Sequence, residues 1–305
     1  MHKEEFEELR IILSHSERGE AMTPYVITNE NVRMPALIYG TAWKESRTAD
    51  LTEMALKAGF RGIDTACQPK HYNEAGVGEA IARLGAQGVE RSELFVQTKF
   101  TPLSGHDPAR IPYDPAAPIE EQVAQSFAVS QANLGSSYVD SLVLHSPLHP
   151  YPMLLRAWRA MEKLYRAGGT RQLGISNCYD PQLLVRLYSD ADVKPAVVQN
   201  RFYAQSGYDR ELRAWCRERG IIYQSFWSLT ANPHLLESRE FFALTQKYDK
   251  TEAQILYRFL NHCGIVPLIG STSPEHLRED LEIFSFELSA EEIAALGRLL
   301  ESESA

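Results

Sequence analysis

The sequence lacks any long hydrophobic run and any excess of basic residues. No apolar stretch of the 305-residue chain approaches the ~18 residues that a membrane span requires. The N-terminus, MHKEEFEELRIILSHSERGEAM, is charged where a signal peptide would be apolar. With 31 lysines and arginines against 40 aspartates and glutamates, the net charge is −9, which disfavours nucleic acids and anionic lipids as partners. We therefore expect a cytoplasmic protein that binds neither nucleic acid nor membrane.

Cysteine is also scarce. The chain has four, which are Cys67, Cys178, Cys216 and Cys263. They lie far apart and form no CxxC pair, which argues against a zinc site or a disulfide framework. His145 and His149 have the spacing of a metal-binding pair, but prolines at positions 147 and 150 interrupt the helix that such a pair needs. We expect no metal, and we interpret the cysteines as core or loop thiols, with Cys67 and Cys178 as bystanders near the site.

Short apolar runs alternate with segments of helical period from about residue 34 onward. The runs cover residues 36–39, 62–63, 94–96, 141–144, 172–175, 196–198, 221–223 and 264–268. The helix candidates cover residues 49–58, 73–84, 119–134, 151–167, 180–189, 209–219 and 251–262. Eight strands alternating with helices predict an α/β fold, a (β/α)8 TIM barrel. A doubly wound open sheet would also alternate, but it usually opens with a GxGxxG loop, which is missing after the first run.

We predict a single barrel domain over residues 34–305 that ends in a helical segment. Residues 1–33 form an N-terminal extension without a βα unit, for which a hairpin across the barrel bottom and a loose tail both fit. Residues 101–118 contain five prolines and no helical period, so they predict a long loop after the third strand. Such a loop can border a substrate.

Polar side chains follow the apolar runs. Asp64, Lys99 and His145 each stand at the end of a different predicted strand. A parallel barrel brings the carboxyl ends of all its strands to one face, where active sites lie. Polar residues can also simply end a strand before a loop, but the pattern holds after every run. The sequence therefore predicts that these three side chains converge.

Several longer motifs carry a family resemblance. They are MPALIYGTAW, GFRGIDTA with YNEAGVGEAI, LFVQTK, YVDSLVLHSP, GISN, AVVQN and IGSTSPEHLREDL. From about residue 34 to residue 300, and in this order, the chain resembles the aldo-keto reductases. The resemblance implies a (β/α)8 barrel, a nicotinamide cofactor bound in extended form, and a catalytic group that corresponds to Asp64, Tyr72, Lys99 and His145.

Carbonyl reduction explains why such residues are needed. Hydride goes to carbon and a proton to oxygen, and an unperturbed tyrosine has a pKa of ~10, which makes it a slow donor. We expect Lys99 to lower the pKa of Tyr72, Asp64 to pair with Lys99, and His145 to orient the carbonyl oxygen. The family tyrosine usually follows the acid by five residues, where this chain has Pro69. We interpret residues 68–70 as a small insertion and Tyr72 as the donor; a surface position for Tyr72 is the alternative.

The resemblance also implies a cofactor site. Ser176, Asn177 and Gln199 would bind the nicotinamide carboxamide, and Phe226 would stack on the ring. Further positions of the implied cofactor site are Asp64 at the nicotinamide end, Thr41, Ala42, Ser228 and Leu229 along the diphosphate, and Gly270, Ser271, Thr272, His276 and Asp280 at the adenosine end.

Two strong cations of the family are missing at the adenosine end. Many relatives have lysine, arginine and asparagine where this chain has Gly270, His276 and Asp280. Ser271, Thr272 and His276 can still donate hydrogen bonds, and the helix start marked by Ser273 has exposed N–H groups and a dipole that favour an anion. We therefore predict NADPH as the cofactor, with NADH as the alternative.

The substrate pocket is expected to be bordered by Trp43, Tyr72 and His145, with Tyr113 and Trp227 nearby, which favours an apolar or aromatic carbonyl compound. These residues predict a NADPH-dependent reductase of aldehydes or ketones that acts as a monomer or weak oligomer. Two other classes stay open. A cofactor-binding regulatory or interaction subunit would bind NADPH without turnover, and a metal-dependent barrel hydrolase would lose activity to chelators.

Overall fold

The computed structural model describes residues 24–302, so residues 1–23 of the proposed N-terminal extension lie outside the described part. The described chain begins with an antiparallel hairpin of strands β1 (Tyr25–Ile27) and β2 (Arg33–Pro35). Of the two arrangements expected for the extension, the described part forms the hairpin.

Eight further strands form a closed parallel barrel. They are β3 (Ile38–Gly40), β4 (Gly62–Asp64), β5 (Phe95–Phe100), β6 (Ser141–Leu144), β7 (Leu173–Ser176), β8 (Val197–Arg201), β9 (Ile222–Phe226) and β10 (Ile265–Ile269). Each strand pairs with the next in sequence, and β10 pairs with β3 to close the ring. Each predicted apolar run overlaps one barrel strand, so the predicted (β/α)8 barrel is confirmed.

Helices follow the barrel strands. Those described are α1 (Thr48–Ala58), α2 (Glu74–Gly85), α3 (Ile119–Leu134), α4 (Tyr151–Arg166), α5 (Pro181–Asp190), α6 (Arg210–Arg217), α7 (Pro233–Leu236), α8 (Arg239–Tyr248), α9 (Glu252–His262), α10 (Pro274–Leu281) and α11 (Ala290–Ser302). Local sequence sets several starts: Asp180 caps α5, and Thr251 with Gln254 forms a capping box on α9. None of the helices within residues 24–302 combines the length and apolar character needed to cross a bilayer.

The hairpin packs against the amino-terminal ends of the barrel strands. Met34 is fully buried in a small core that includes Phe95, Val197 and Val266, and burial of such a side chain contributes about 1.5–3 kcal/mol. The Thr28 hydroxyl donates to Gln172 Oε1 just before β7, at 2.8 Å. The hairpin therefore covers the bottom of the barrel, on the side away from the carboxyl ends of the strands.

The proline-rich segment between β5 and α3 is a loop, as predicted, and contains only a short 3-10 turn at Leu103–Gly105. It is anchored by Tyr113, which is 6% exposed and packs on Phe100 with ring centroids 5.7 Å apart. The loop is therefore fixed to the end of β5 by a buried aromatic contact.

Candidate active site

A buried ion pair lies at the carboxyl ends of β4 and β5. Lys99 Nζ lies 2.6 Å from Asp64 Oδ2, and the two residues are 1% and 3% exposed. The same ammonium donates to the Thr65 carbonyl oxygen at 2.8 Å. Burial lowers the pKa of Lys99, and the Asp64 carboxylate opposes this shift. The pair brings together two residues that are 35 positions apart in the sequence.

Two glutamines hold the second oxygen of this carboxylate, and a third glutamine holds those two. Gln97 Nε2 and Gln199 Nε2 donate to Asp64 Oδ1 at 2.8 and 3.0 Å. Both amides also donate to Gln224 Oε1 inside the barrel. The Asp64 carboxylate therefore has a fixed orientation as well as a counter-ion, which a buried charge requires. The roles of Gln97 and Gln224 were not predicted, although a glutamine inside an otherwise buried strand is a visible signal in the sequence.

Tyr72 lies beside the ion pair and His145. Its ring centroid is 5.2 Å from Lys99 Nζ and 5.9 Å from the His145 ring centroid. The loop between β4 and α2 forms a turn that puts Tyr72 in this position. The Tyr72 N–H donates to the Gln68 carbonyl at 3.0 Å, and the Gln68 side chain donates to the Gly105 carbonyl at 2.7 Å. The turn takes up the extra residues, so the Tyr72 ring lies beside Lys99 and His145.

The pKa of Tyr72 shifts opposite to our expectation. Burial, and then the charge of Asp64, raise the pKa of this phenol. The reason is that the Lys99 ammonium donates to Asp64 and to the Thr65 carbonyl, and lies over the face of the Tyr72 ring. No residue within 24–302 forms a hydrogen bond with the Tyr72 hydroxyl. The phenol is therefore protonated at neutral pH, which is the form that donates a proton.

His145 is held as a neutral imidazole. Its Nδ1 lies 2.7 Å from the Thr101 hydroxyl oxygen, and its carbonyl accepts from Asn177 Nδ2 at 2.8 Å. Burial lowers the pKa of His145 well below its usual value, and the positive charge of Lys99 adds to the effect. With Nδ1 engaged by Thr101, Nε2 is the ring nitrogen left for a ligand.

The residues assigned to the nicotinamide end lie together at the ends of β7, β8 and β9. Asn177 follows β7 in a left-handed conformation, with φ of 53°, and Ser176 Oγ donates to the Gln199 carbonyl at 2.7 Å. The Gln199 side chain is 3% exposed, and its Oε1 accepts no hydrogen bond from residues 24–302. Phe226, which is partly exposed, ends β9. Gln199 Oε1 could therefore accept a hydrogen bond from a carboxamide, and the Phe226 ring could stack on a flat group.

The hydroxyls expected along the diphosphate have partners inside the protein. Thr41 is fully buried and donates to the Asp64 carbonyl at 2.9 Å, which ties β3 to β4. Ser228, 2% exposed, donates to Ser225 Oγ at 2.9 Å. Ala42 and Leu229 are partly exposed at the same rim. The Thr41 and Ser228 side chains therefore serve the packing of the rim.

The adenosine end differs from expectation at the start of α10. Ser273 accepts hydrogen bonds from the N–H groups of Glu275 and His276 at 3.2 and 3.4 Å. Those N–H groups, which we expected to be exposed for an anion, are thus already satisfied. Lys44 from the β3–α1 loop instead donates to the Gly270 carbonyl, and its Nζ would lie 3.5 Å from a Cβ atom at position 270. A cation therefore stands beside Gly270.

The other predicted groups at this end differ in exposure. Thr272 and His276 are exposed, and Ser271 accepts a hydrogen bond on its carbonyl from the Tyr39 hydroxyl at 3.0 Å. Asp280 is 5% exposed, and burial, followed by the charge of Glu279, raises its pKa to about 7. The carboxyl that replaces the family asparagine is therefore partly protonated at neutral pH.

The aromatic residues expected near the substrate differ in exposure: the two tryptophans are exposed, and Tyr113 is buried. Trp43 is 59% exposed and stacks on the His71 ring at 3.8 Å between centroids, and Trp227 is 49% exposed. The expectation that Tyr113 borders the substrate is wrong, because this residue is buried and its hydroxyl donates to the Thr101 carbonyl at 2.9 Å. Trp43 is therefore an exposed aromatic ring that packs against the partly buried His71, the residue before Tyr72.

The four cysteines are all free and buried, as interpreted. Burial raises the pKa of Cys67 and of Cys178 to about 12, so neither is a thiolate at neutral pH. Within the part of the chain that the structure describes, there is no group of three or more His, Cys, Asp or Glu side chains able to hold a metal ion.

The fold and the site place the protein among the (β/α)8 enzymes whose chemistry lies at the carboxyl ends of the strands. A sequence model of the Aldo/keto reductase family matches residues 36–301. An aldo-keto reductase of Mycolicibacterium vanbaalenii is 34% identical over 281 residues, with 92% of this chain and 93% of the relative covered. Glyoxal reductase of Bacillus subtilis is 31% identical over 278 residues, with 90% and 92% covered.

A solved structure of an aldo-keto reductase has the same fold as this chain. The crystal structure of an aldo-keto reductase of Bombyx mori in complex with NADP superimposes with a TM-score of 0.77 at 26% identity, covering 91% of this chain and 92% of that one. The chain belongs to the aldo-keto reductase family. Members of this family are oxidoreductases that act on small carbonyl compounds and typically bind a nicotinamide cofactor.

Proposed function

We propose that the protein is a NADPH-dependent reductase that converts small aldehydes or ketones to alcohols, with Tyr72 as the proton donor. The observation that carries the proposal is the convergence of a protonated phenol, a neutral imidazole and a buried ammonium. Tyr72 lies within 5.2 Å of Lys99 Nζ and 5.9 Å of the His145 ring, measured from its ring centroid. In the proposal, the Tyr72 hydroxyl and His145 Nε2 are the donors to the carbonyl oxygen, where negative charge would develop.

Each side chain has a distinct role in the proposal. When bound, a nicotinamide cofactor would supply the hydride for the carbonyl carbon. Tyr72 gives its proton to the oxygen, a step that contributes about 10²–10⁴-fold in rate. His145 Nε2 donates a hydrogen bond that orients the same oxygen. The Lys99 ammonium, held by Asp64 at 2.6 Å, stabilises the phenolate that forms after proton transfer.

NADPH is preferred over NADH in this proposal because of Lys44. Positions 270 and 276 carry glycine and histidine, but the Lys44 ammonium lies beside Gly270 and supplies the missing positive charge. Within residues 24–302 Lys44 forms no ion pair with a carboxylate, so its charge is available to a phosphate. Ser271, Thr272 and exposed His276 add hydrogen-bond donors. Ser176, Asn177 and Gln199 would hold the carboxamide.

Small carbonyl compounds with a flat or apolar group are the proposed substrates. The exposed ring of Trp43 gives a flat apolar surface near Tyr72, because the Trp43 N–H donates to the carbonyl of His71, the residue before Tyr72, at 2.8 Å. Small dicarbonyl compounds are further proposed substrates, because a similar protein of Bacillus subtilis is named glyoxal reductase. Glyoxal, methylglyoxal and an aromatic aldehyde are therefore the first substrates to test.

The test combines turnover with binding. Purified protein should oxidise NADPH in the presence of at least one of these carbonyls, with a lower KM for NADPH than for NADH. Cofactor binding is followed separately by quenching of tryptophan fluorescence. Tight NADPH binding with no turnover on any carbonyl of the panel would contradict the proposal and favour a cofactor-binding regulatory subunit instead.

A further inference from the structure

The hydroxyl of Thr101 is directed at a ring nitrogen of His145. Thr101 follows β5, is 2% exposed, and places Oγ1 2.7 Å from His145 Nδ1. The hydrogen bonds of residues 24–302 give this oxygen no other partner. The contact joins the end of β5 to the residue after β6, beside the phenol of Tyr72.

The backbone of Thr101 is fixed by the proline-rich loop. Its carbonyl oxygen accepts hydrogen bonds from the Tyr113 hydroxyl at 2.9 Å and from His106 Nε2 at 3.0 Å. Tyr113 and His106 are 6% and 7% exposed. A carbonyl oxygen can only accept, so His106 carries its proton on Nε2, and its buried Nδ1 has no partner among the described residues. The loop therefore holds the Thr101 carbonyl oxygen, while the Thr101 hydroxyl contacts His145.

The observed rotamer of Thr101 also requires a glycine at position 105. A Cβ atom built on Gly105 would lie 2.6 Å from Thr101 Cγ2, closer than real contacts allow. The methyl and the hydroxyl of threonine share one Cβ, so a side chain at position 105 would move the hydroxyl together with the methyl. The absence of a side chain at position 105 permits the contact between Thr101 and His145.

We propose that Thr101 is a positioning residue that donates its hydroxyl proton to His145 Nδ1 and so holds the ring proton on Nε2, facing the substrate. A neutral imidazole has one N–H, and the opposite arrangement would place that N–H on Nδ1. The Thr101 hydroxyl proton would then be buried without an acceptor, which is unfavourable. This inference rests on the proposed function, since His145 Nε2 is the group that orients the carbonyl oxygen there.

The first experiment measures the tautomer directly and needs no turnover. Protein labelled with ¹⁵N in histidine is studied by two-dimensional NMR, and the His145 ring signals are assigned with His145→Gln. Wild type should show Nε2 protonated and Nδ1 as an acceptor. Thr101→Val, which has the same shape without the hydroxyl, should remove the hydrogen bond and move the Nδ1 signal toward that of an acceptor nitrogen without a partner. Thr101→Ser should restore the wild-type pattern.

The second experiment measures kinetics. Thr101→Val and Gly105→Ala should each lower kcat about 10- to 100-fold, less than the 10²–10³-fold that follows loss of an oxyanion donor itself. The KM for NADPH should stay unchanged, and Thr101→Ser should recover most of the lost kcat. Thr245→Val is the matched control, since Thr245 is also buried and donates to a backbone carbonyl in α8, far from the site.

Gly105→Ala also covers the case in which Thr101→Val does not fold. A wild-type ring with its proton on Nδ1, or a Thr101→Val protein with an unchanged Nδ1 signal, would overturn the inference. If the Nδ1 signal depends on Thr101 but no carbonyl is reduced, the positioning role holds and the proposed function fails.

Discussion

The buried pair of Lys99 and Asp64 gives the sharpest stability prediction. Lys99→Met removes the ammonium but leaves a carboxylate that is 3% exposed and keeps only the two amide donors of Gln97 and Gln199. Breaking a buried pair in this way costs about 3–5 kcal/mol in the free energy of unfolding, because an uncompensated charge remains. The double variant Asp64→Asn with Lys99→Met removes that charge too. It should recover about 1–3 kcal/mol relative to Lys99→Met alone.

Urea unfolding of wild type, Asp64→Asn, Lys99→Met and the double variant measures this coupling, and a surface pair provides the control. Lys247 Nζ also lies 2.6 Å from a carboxylate, that of Glu292, but its side chain is 56% exposed. Lys247→Met should leave the free energy of unfolding close to that of wild type, because exposed pairs are screened by water. Equal losses for Lys99→Met and Lys247→Met, or strict additivity in the double variant, would refute the reasoning.

Two further predictions concern the adenosine end. Burial raises the pKa of Asp280 to about 7. The folded state therefore binds the carboxyl proton of Asp280 more tightly than the unfolded state does. The stability that this protonated carboxyl contributes is lost as pH rises from about 4 to about 7. Asp280→Asn should therefore stabilise the protein by on the order of 2–4 kcal/mol at about pH 8, and much less at about pH 4, in urea unfolding; an equal effect at both pH values would contradict this. Lys44→Met should raise the Kd for NADPH about 10-fold or more and leave that for NADH nearly unchanged, in line with loss of one charge-assisted contact. Lys163→Met, an exposed lysine on α4, is the control, and equal weakening of both cofactors would contradict a role for Lys44 at the phosphate.

The barrel and the convergence of its polar residues could be predicted because both follow from periodicity. Short apolar runs alternating with helical segments leave few architectures, and a parallel barrel necessarily gathers its strand ends. Asp64, Lys99 and His145 therefore come together wherever the exact strand limits lie. The two missed helices carry weaker signals, since α7 has four residues and α8 follows it after only two more.

Side-chain direction could not be predicted in the same way. The sequence places Tyr113 in a loop above the site, but only the packing shows that it turns inward to Thr101. The sequence puts a lysine near Tyr72, but the sign of the pKa shift depends on whether the ammonium points at the hydroxyl or at Asp64. Lys44 beside Gly270 joins two loops that are 226 residues apart, a contact without a sequence signal.

The most direct test of the central claim is the turnover of Tyr72→Phe beside wild type with NADPH and a carbonyl that wild type reduces. The phenol lies against Lys99 and His145 and is protonated, so removing its hydroxyl should lower kcat by about 10²–10⁴-fold. The Kd for NADPH, measured by fluorescence quenching, should be unchanged. A Tyr72→Phe protein that turns over as fast as wild type would contradict the assignment of Tyr72 as proton donor.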